Sequence, residues 1–442
     1  MPEPQEGIPP HHGVLLHVLT QNILISMVNV LIRIQEETDM RQLRSLALAA
    51  SLLGVLPAAA TAQMSDGVVR IGILNDMNGP YADLAGPGSV LAAQMAAEEF
   101  GNRVAGVPVE IVSANHQNKP DVGAEITRRW VDQDKVDAIA DVPTSSVALA
   151  VQNIVRDKQK VFLISGAAAA SLSGKDCSPF SIQTSDDTNA LSIGTTRAVV
   201  KSGADSWFFL TADYVFGHAM EAESTKVIKA HGGTVLGGVR HPQNTADFAS
   251  YLLRAKGSGA KAIGLANAGN DTITSIKQAV EFGLTQSGQR LVGLILFISD
   301  IHALGLQNAH GLMLTEGFYW DMDPVAREWS QRFHKRFGKM PTRQQATTYA
   351  TVVHYLRAID HAKTDDSRTV VARMKAAPMK YFGHEGRIRE DGRFVHDLKL
   401  YEVKHPSESK YPWDYYKTVT TIPGEEAFAS MADGGCPLVA KR

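Results

Sequence analysis

From Val68 onward the chain alternates short β-branched and apolar runs with longer amphipathic stretches. Residues 68–75, 107–113, 136–141 and 161–165 read as strands, with helices at 89–100, 121–133 and 147–158 between them. A second series begins after Thr184: helices at 188–201, 217–231, 247–256 and 272–282 alternate with strands at 207–211, 234–239, 262–266 and 291–297. Apolar strands separated by amphipathic helices predict parallel sheets with right-handed crossovers. The predicted class is therefore α/β, with two doubly wound parallel-sheet lobes. Helices at 325–337, 344–362 and 369–376 and a strand at 397–403 follow. They are too few for a third domain and are expected to return and complete the first two. No repeat, low-complexity tract or Gly/Ser tether separates the units, which suggests strand crossings around a hinged cleft.

Ahead of this pattern, Arg41 and Arg44 form a basic head and residues 45–55 an apolar run too short to span a bilayer. Ala60-Thr61-Ala62 then gives the small-x-small pattern of a signal peptidase site. Residues 40–62 read as a secretory signal, cleaved after Ala62, with no cysteine there to carry a lipid. Residues 1–39 read as a misassigned, disordered start, the alternative being an amphipathic segment over 15–34. The pair His11-His12 then has no metal-binding meaning.

Setting aside residues 1–62 leaves 380 of the 442 residues, about right for two domains. The whole chain carries 44 Lys and Arg against 46 Asp and Glu; residues 1–62 hold three of the first (Arg33, Arg41, Arg44) and five of the second (Glu3, Glu6, Glu36, Glu37, Asp39), which leaves 41 of each. A nucleic-acid binder would show a basic excess, so none is expected as partner. Two cysteines, Cys177 and Cys436, suit an oxidising compartment. A bridge between them would pin the C-terminal tail to the first domain; two buried free thiols are the alternative.

In open parallel sheets, ligands bind outside the carboxyl ends of the strands. The loops there are 75–89 (which includes Leu84), Pro143-Thr144-Ser145-Ser146, Gly166-AAAAS, Ala212-DYVFG and Asn267-AGND. Hydroxyls and free N–H groups at helix starts suit a carboxylate, and Ala167 and Ala168 let it approach the backbone. Taken singly, Ser145 and Ser146 read equally as helix caps and the alanines as packing. None of these loops carries Lys or Arg, which favours a compact monoanion over a phosphate. Tyr214, Phe216 and Phe297 are placed to sandwich an apolar or aromatic body.

Enzyme signatures are missing. Gly86-Pro87-Gly88 lacks the third glycine of a dinucleotide fingerprint, and Gly174-Lys175 and Gly338-Lys339 lack the rest of a P-loop. There is no G-x-S-x-G elbow and no HExxH. His302 and His310 have no partner at ligand spacing, so neither metal nor cofactor is expected. Asp271 and Asp300 form a candidate acid pair, with an N-cap role for Asp271 as the alternative.

The stretches Val68-VRIGILNDMNGPYADLAGPGS, Phe162-LISGAAAAS, Thr211-ADYVFG and Ala309-HGLMLTEGFYWDMDP, then Phe333-HKRFGKMPT and Thr348-YATVVHYLRAI, resemble the leucine/isoleucine/valine-type substrate-binding proteins of ABC transporters, the type I periplasmic binding fold. The resemblance covers nearly all of the chain after residue 62. It implies two lobes joined by three crossovers: 66–186 with 323–385, and 187–322 with 386–420, the tail 421–442 returning to the first lobe. Carried over by position, Thr144, Ser145, Ala167 and Ala168 would hold a carboxylate, and Tyr214, Phe216, Asn267, Gly269 and Asp271 would close on it. Amino-acid binders of this family resemble A-E-G-M-L where this chain has Ala309-His310-Gly311-Leu312-Met313. An imidazole at His310 cannot supply the Glu counter-charge to an ammonium, although Asp271, Asp300 or Glu316 could substitute.

The expectation is thus a periplasmic, monomeric receptor that hands a benzoate- or cinnamate-like acid to an ABC permease. A branched-chain or other amino acid is the runner-up ligand, and an exported hydrolase or amidase a distant third.

Overall fold

The computed structural model describes residues 26–33, 35 and 64–439. The expected signal peptide and most of residues 1–39 lie outside the described residues. Residues 26–33 are helical and exposed, in a unit, Met1–Thr61, separate from the body Ala62–Arg442.

The first lobe is built on β1 (Val69–Asn75), β2 (Arg103–Val104), β3 (Val107–Asn115), β4 (Ala138–Asp141), β5 (Val161–Ile164) and β6 (Ser181–Gln183), in the order β2-β3-β1-β4-β5-β6. Strand β1 pairs in parallel with β3 and β4. Val69, Ile71, Ile73 and Leu74 are all fully buried, because helices cover both faces and leave no polar side to the strand. The covering helices are α1 (Gly86–Glu98), α2 (Pro120–Asp132) and α3 (Ser145–Asp157).

The second lobe begins with α4 (Thr188–Lys201). Its parallel sheet holds β7 (Ser206–Ala212), β8 (Thr234–His241), β9 (Ala262–Ala266) and β10 (Arg290–Gly293), in the order β10-β9-β7-β8. Helices α5 (Val215–Ala230), α6 (Ala249–Gly257) and α7 (Asn270–Glu281) cross over between the strands; α8 (Ile298–Leu304), α9 (Leu306–Ala309) and strand β11 (Met313–Glu316) follow. The chain then returns to the first lobe as α10 (Pro324–Phe337), α11 (Arg343–Ala362) and α12 (Ser367–Ala376), with α11 packed along α1. Short strands β12 (Met379–Tyr381), β13 (His384–Ile388) and β14 (Phe394–Val395) lead back to β15 (Leu398–Val403) and β16 (Tyr416–Ile422), which form an antiparallel sheet with β11.

Three segments therefore pass between the lobes, near residues 186, 317 and 397. The third crossing falls later than the expected 385/386 division. The reason is that β13 and β14 pair with β12, and Arg393 bridges Gln183 at the edge of the first-lobe sheet. The second falls earlier than 322/323, since Phe318 already packs on Trp329 and Phe382 of the first lobe. The tail does not return directly. α13 (Gly424–Ala427) and Phe428 pack with Ala190 and Leu398 of the second lobe. Only beyond them, with α14 (Met431–Gly434), does the chain reach Gly174 and form the Cys177–Cys436 disulfide, Cα atoms 5.6 Å apart.

Asp186 ties the crossings together. Its carboxylate accepts from Gly317 N (2.9 Å) on the second crossing and meets His396 Nε2 (3.1 Å) on the third, while Arg343 Nη1 lies 3.5 Å away. Burial alone would push this carboxyl up. The hydrogen bond to His396 and the charge of Arg343 outweigh it and hold Asp186 below the usual range. Glu316, 3.6 Å from Arg343, goes the other way: burial pushes its carboxyl well up, against the opposing charge of Arg343.

Candidate ligand-binding cleft

The capping of the helices separates two groups. Helices α4, α10, α11 and α12 begin with Asp187, Asp323, Thr342 and Asp366, whose side chains accept from the third N–H of the helix. Six helices that leave the carboxyl ends of the strands before them have no such side chain: Ala85, Lys119, Thr144, Tyr214, Phe248 and Gly269 open α1, α2, α3, α5, α6 and α7 uncapped. At α3 the hydroxyl that would cap is turned away, because Thr144 Oγ1 bonds Asn118 instead. The first N–H groups of α3 are left for something else.

Between the lobes the starts of α1, α3, α5 and α7 border a small cleft, closed down to a free volume of about 20 Å3, room for little more than a water molecule. The first lobe lines it with Tyr81, Leu84, Pro143, Gly166, Ala168 and Gln344, and the second with Tyr214, Phe216, Ala268, Ile295 and Phe297. No ionisable carboxylate or cation is in the lining. The lobes touch across it. The hydroxyls of Tyr81 and Tyr214 are hydrogen-bonded, Gln243 Nε2 donates to Tyr81 Oη at 3.1 Å, and Asn270 N donates to Pro80 O at 3.2 Å. The conformation is a closed one.

Of the residues singled out in the sequence, Leu84, Ala168, Tyr214, Phe216 and Phe297 line the cleft. Thr144 and Ser145 are fully buried at the start of α3, Ser146 is half-buried beside them, and Ser145 Oγ accepts from Ala169 N at 3.3 Å. Ala167 is buried behind the lining, its carbonyl taking Gln183 Nε2 at 3.1 Å. Gly269 sits at the lobe contact: its φ is +59°, and a Cβ there would lie 2.3 Å from Pro80 O.

The others serve their own lobe. Asn267 accepts from Thr272 Oγ1 at 2.8 Å and reaches His241. Asp271 is not a helix cap; it accepts from Asn244 N (3.1 Å) and Thr245 N (2.9 Å), fastening that loop. Asp300 accepts from Phe297 N at 3.0 Å. Burial pushes Asp271 up to about 6 and Asp300 up to about 7. His310 is corrected outright: it is exposed at the end of α9, its ring against His405 at 5.2 Å, and takes no part in the cleft.

Sequence reasoning missed Tyr81, Pro143, Gly166, Ala268, Ile295 and Gln344. Tyr81, Pro143, Gly166 and Ala268 lie in loops already marked as candidates, so position gave a signal that residue type did not. Ile295 was hidden inside a run read as strand. Gln344 comes from the first turn of α11, which nothing local connects with a cleft. Among the described residues no helix is long and apolar enough to cross a membrane, and no three His, Cys, Asp or Glu could hold a metal ion.

Comparison with known proteins agrees with this architecture. The periplasmic binding protein family model matches residues 68–410. A periplasmic binding protein from Burkholderia mallei is 46% identical, with a TM-score of 0.83 over 84% of this chain and 99% of that one. A branched chain amino acid ABC transporter periplasmic ligand-binding protein from Burkholderia xenovorans LB400 is 38% identical, TM-score 0.74, over the same shares. The Leu/Ile/Val-binding protein homolog 6 of Brucella melitensis is 29% identical over 296 residues, 66% of this chain and 75% of that protein. With two parallel-sheet lobes joined by three crossings and a family match over residues 68–410, the chain belongs to the periplasmic binding proteins, as a type I solute-binding receptor of the ABC-transporter kind.

Proposed function

We propose that this protein captures a small carboxylate with a compact apolar body and delivers it to an ABC permease. The observation that carries the reading is the uncapped N-terminus of α3, which directly follows Pro143 in the lining of an otherwise uncharged, ring-lined cleft. Free N–H groups and the helix dipole would hold the carboxylate, and Leu84, Tyr214, Phe216 and Phe297 would enclose the body. The names of the nearer relatives favour a branched-chain amino acid. A benzoate- or cinnamate-like acid is the second reading, supported by the aromatic lining and by the lack of a carboxylate there to meet an ammonium. Closure is a population shift, because only a filled cleft gains contacts to both lobes. We further propose that the protein acts in the periplasm as a monomer after export.

Isothermal titration of the purified protein against leucine, isoleucine, valine, benzoate and cinnamate tests this. Binding of the amino acids alone removes the aromatic reading, and binding of the aromatic acids alone removes the other. If none binds, the carboxylate proposal itself falls.

A further inference from the structure

One polar group in the cleft is not used by the carboxylate reading. Gln344 is 4% exposed and lines the cleft. Its Nε2 donates to Asp141 Oδ1 at 2.8 Å, while Asn75 Nδ2 donates to the other oxygen at 2.6 Å. An ionised carboxylate only accepts, so both amides turn their nitrogens towards Asp141. The Gln344 carbonyl oxygen is left on the cleft side, with no donor among the described residues. An acceptor that is open to the cleft and unused by its own lobe is available to a donor on a bound molecule.

The surroundings are built around this pair. Asp141 has φ +73° and Val142 φ +56°, two consecutive non-glycine residues in the left-handed region, one of them β-branched. Such backbone persists only where neighbours over-determine it, and it stands here directly before Pro143 and the start of α3. Across from it, a Cβ on Gly166 would lie 2.5 Å from Asp141 Oδ1 and 2.7 Å from Gln344 Nε2. Only glycine lets carboxylate and amide sit immediately beneath the cleft. Asp141 is fully buried and no Lys, Arg or His among the described residues pairs with it. Its charge therefore reaches the cleft through the polarised amide of Gln344.

We infer that Gln344, held by Asp141, accepts a hydrogen bond from a hydroxyl or ammonium on the ligand carbon next to the carboxylate. The inference rests on the carboxylate reading above. Gln344 stands beside Gly166 and Pro143, so its oxygen flanks the place where α3 would hold the acid group. The ligand class narrows to α-amino or α-hydroxy acids with an apolar body. Asp141 is a positioning residue, and the pair supplies the acceptor that the exposed His310 does not.

Two matched ligand pairs test this by titration calorimetry: leucine with isocaproate, and mandelate with phenylacetate. Each pair differs by the donor next to the carboxylate, and the two together distinguish ammonium from hydroxyl. The wild-type protein should prefer the donor-bearing member of one pair by about tenfold or more. Gln344→Met should abolish that preference while isocaproate or phenylacetate still binds. Asp141→Asn, whose side chain tolerates the left-handed backbone, should reduce it by freeing the amide to rotate. Equal weakening of both members by Gln344→Met would mark a merely structural role and overturn the assignment. So would a wild-type protein that ignores the donor, and in both cases the carboxylate reading stands. If the wild-type protein binds no member of either pair, that reading fails and the assignment fails with it.

Discussion

Closure of the lobes should depend on a single glycine. Gly269 opens α7 with φ +59° and ψ −133°, a combination costly for any other residue. Its neighbour Asn270 donates to Pro80 O across the cleft, and a Cβ on residue 269 would lie 2.3 Å from that same oxygen. In Gly269→Ala the strain of φ burdens open and closed forms alike and lowers thermal stability without touching affinity. The collision with Pro80 belongs to the closed form alone. Relieving it requires the loops to part by about an ångström, which loses the Asn270 hydrogen bond and loosens the packing around it. A penalty of roughly 2–3 kcal/mol on closure follows. Because apparent affinity scales with the population that can close, Kd should rise about 30- to 150-fold. Titration calorimetry with whichever acid the wild-type protein binds gives the number, and small-angle scattering with saturating ligand gives the fraction closed. Gly338→Ala is the control: its φ is +81° but a Cβ there meets nothing within 4 Å. It should lose about 1 kcal/mol of stability and keep its affinity. Unchanged binding by Gly269→Ala would refute the reasoning.

Tyr214→Phe removes the hydroxyl contact with Tyr81 between the lobes; affinity should fall about 2- to 10-fold while the melting temperature of the unliganded protein stays put, and a drop in melting temperature alone would place the contact in the open form too. Replacing Cys177 and Cys436 by Ala opens a bridge spanning 259 residues and should cost about 2–5 kcal/mol in urea unfolding; a loss below about 1 kcal/mol contradicts it. Asp300 has a folded-state pKa raised to about 7 from 3.8, so its contribution to stability is full below about pH 4 and is lost as the pH rises through 7. Asp300→Asn should therefore flatten the decline in stability between pH 4 and 7, and an undiminished slope in denaturant midpoints would assign that decline to other groups.

The parallel lobes were legible because their central strands, β1, β4, β5, β7 and β9, are buried, mostly apolar runs set between helices. The same logic explains what was lost. The run 291–297 is apolar throughout, but pairing stops at Gly293 and residues 294–297 continue as a buried loop with Ile295 and Phe297 on the cleft. Apolarity records burial, not hydrogen bonding, so strand and loop look alike. Strands β6 and β11 to β14 are two to five residues long, too short to show alternation, and β16 carries a mixed pattern of threonines. Leu84, Tyr214 and Phe216 were found because they sit in strand-end loops. Gln344 was not, because its role depends on Asp141, 203 residues away in sequence. The family pattern around residue 310 pointed to a counter-charge that this fold leaves on the surface.

The Cys177–Cys436 bridge encloses every crossing and the whole second lobe within a covalent ring. Tension applied between residue 64 and residue 439 runs along the first lobe and through the sulfurs, and never loads the strands of the hinge. In a single-molecule pulling experiment the second lobe should stay silent until a reductant is added. Only then should an extra length of chain be released.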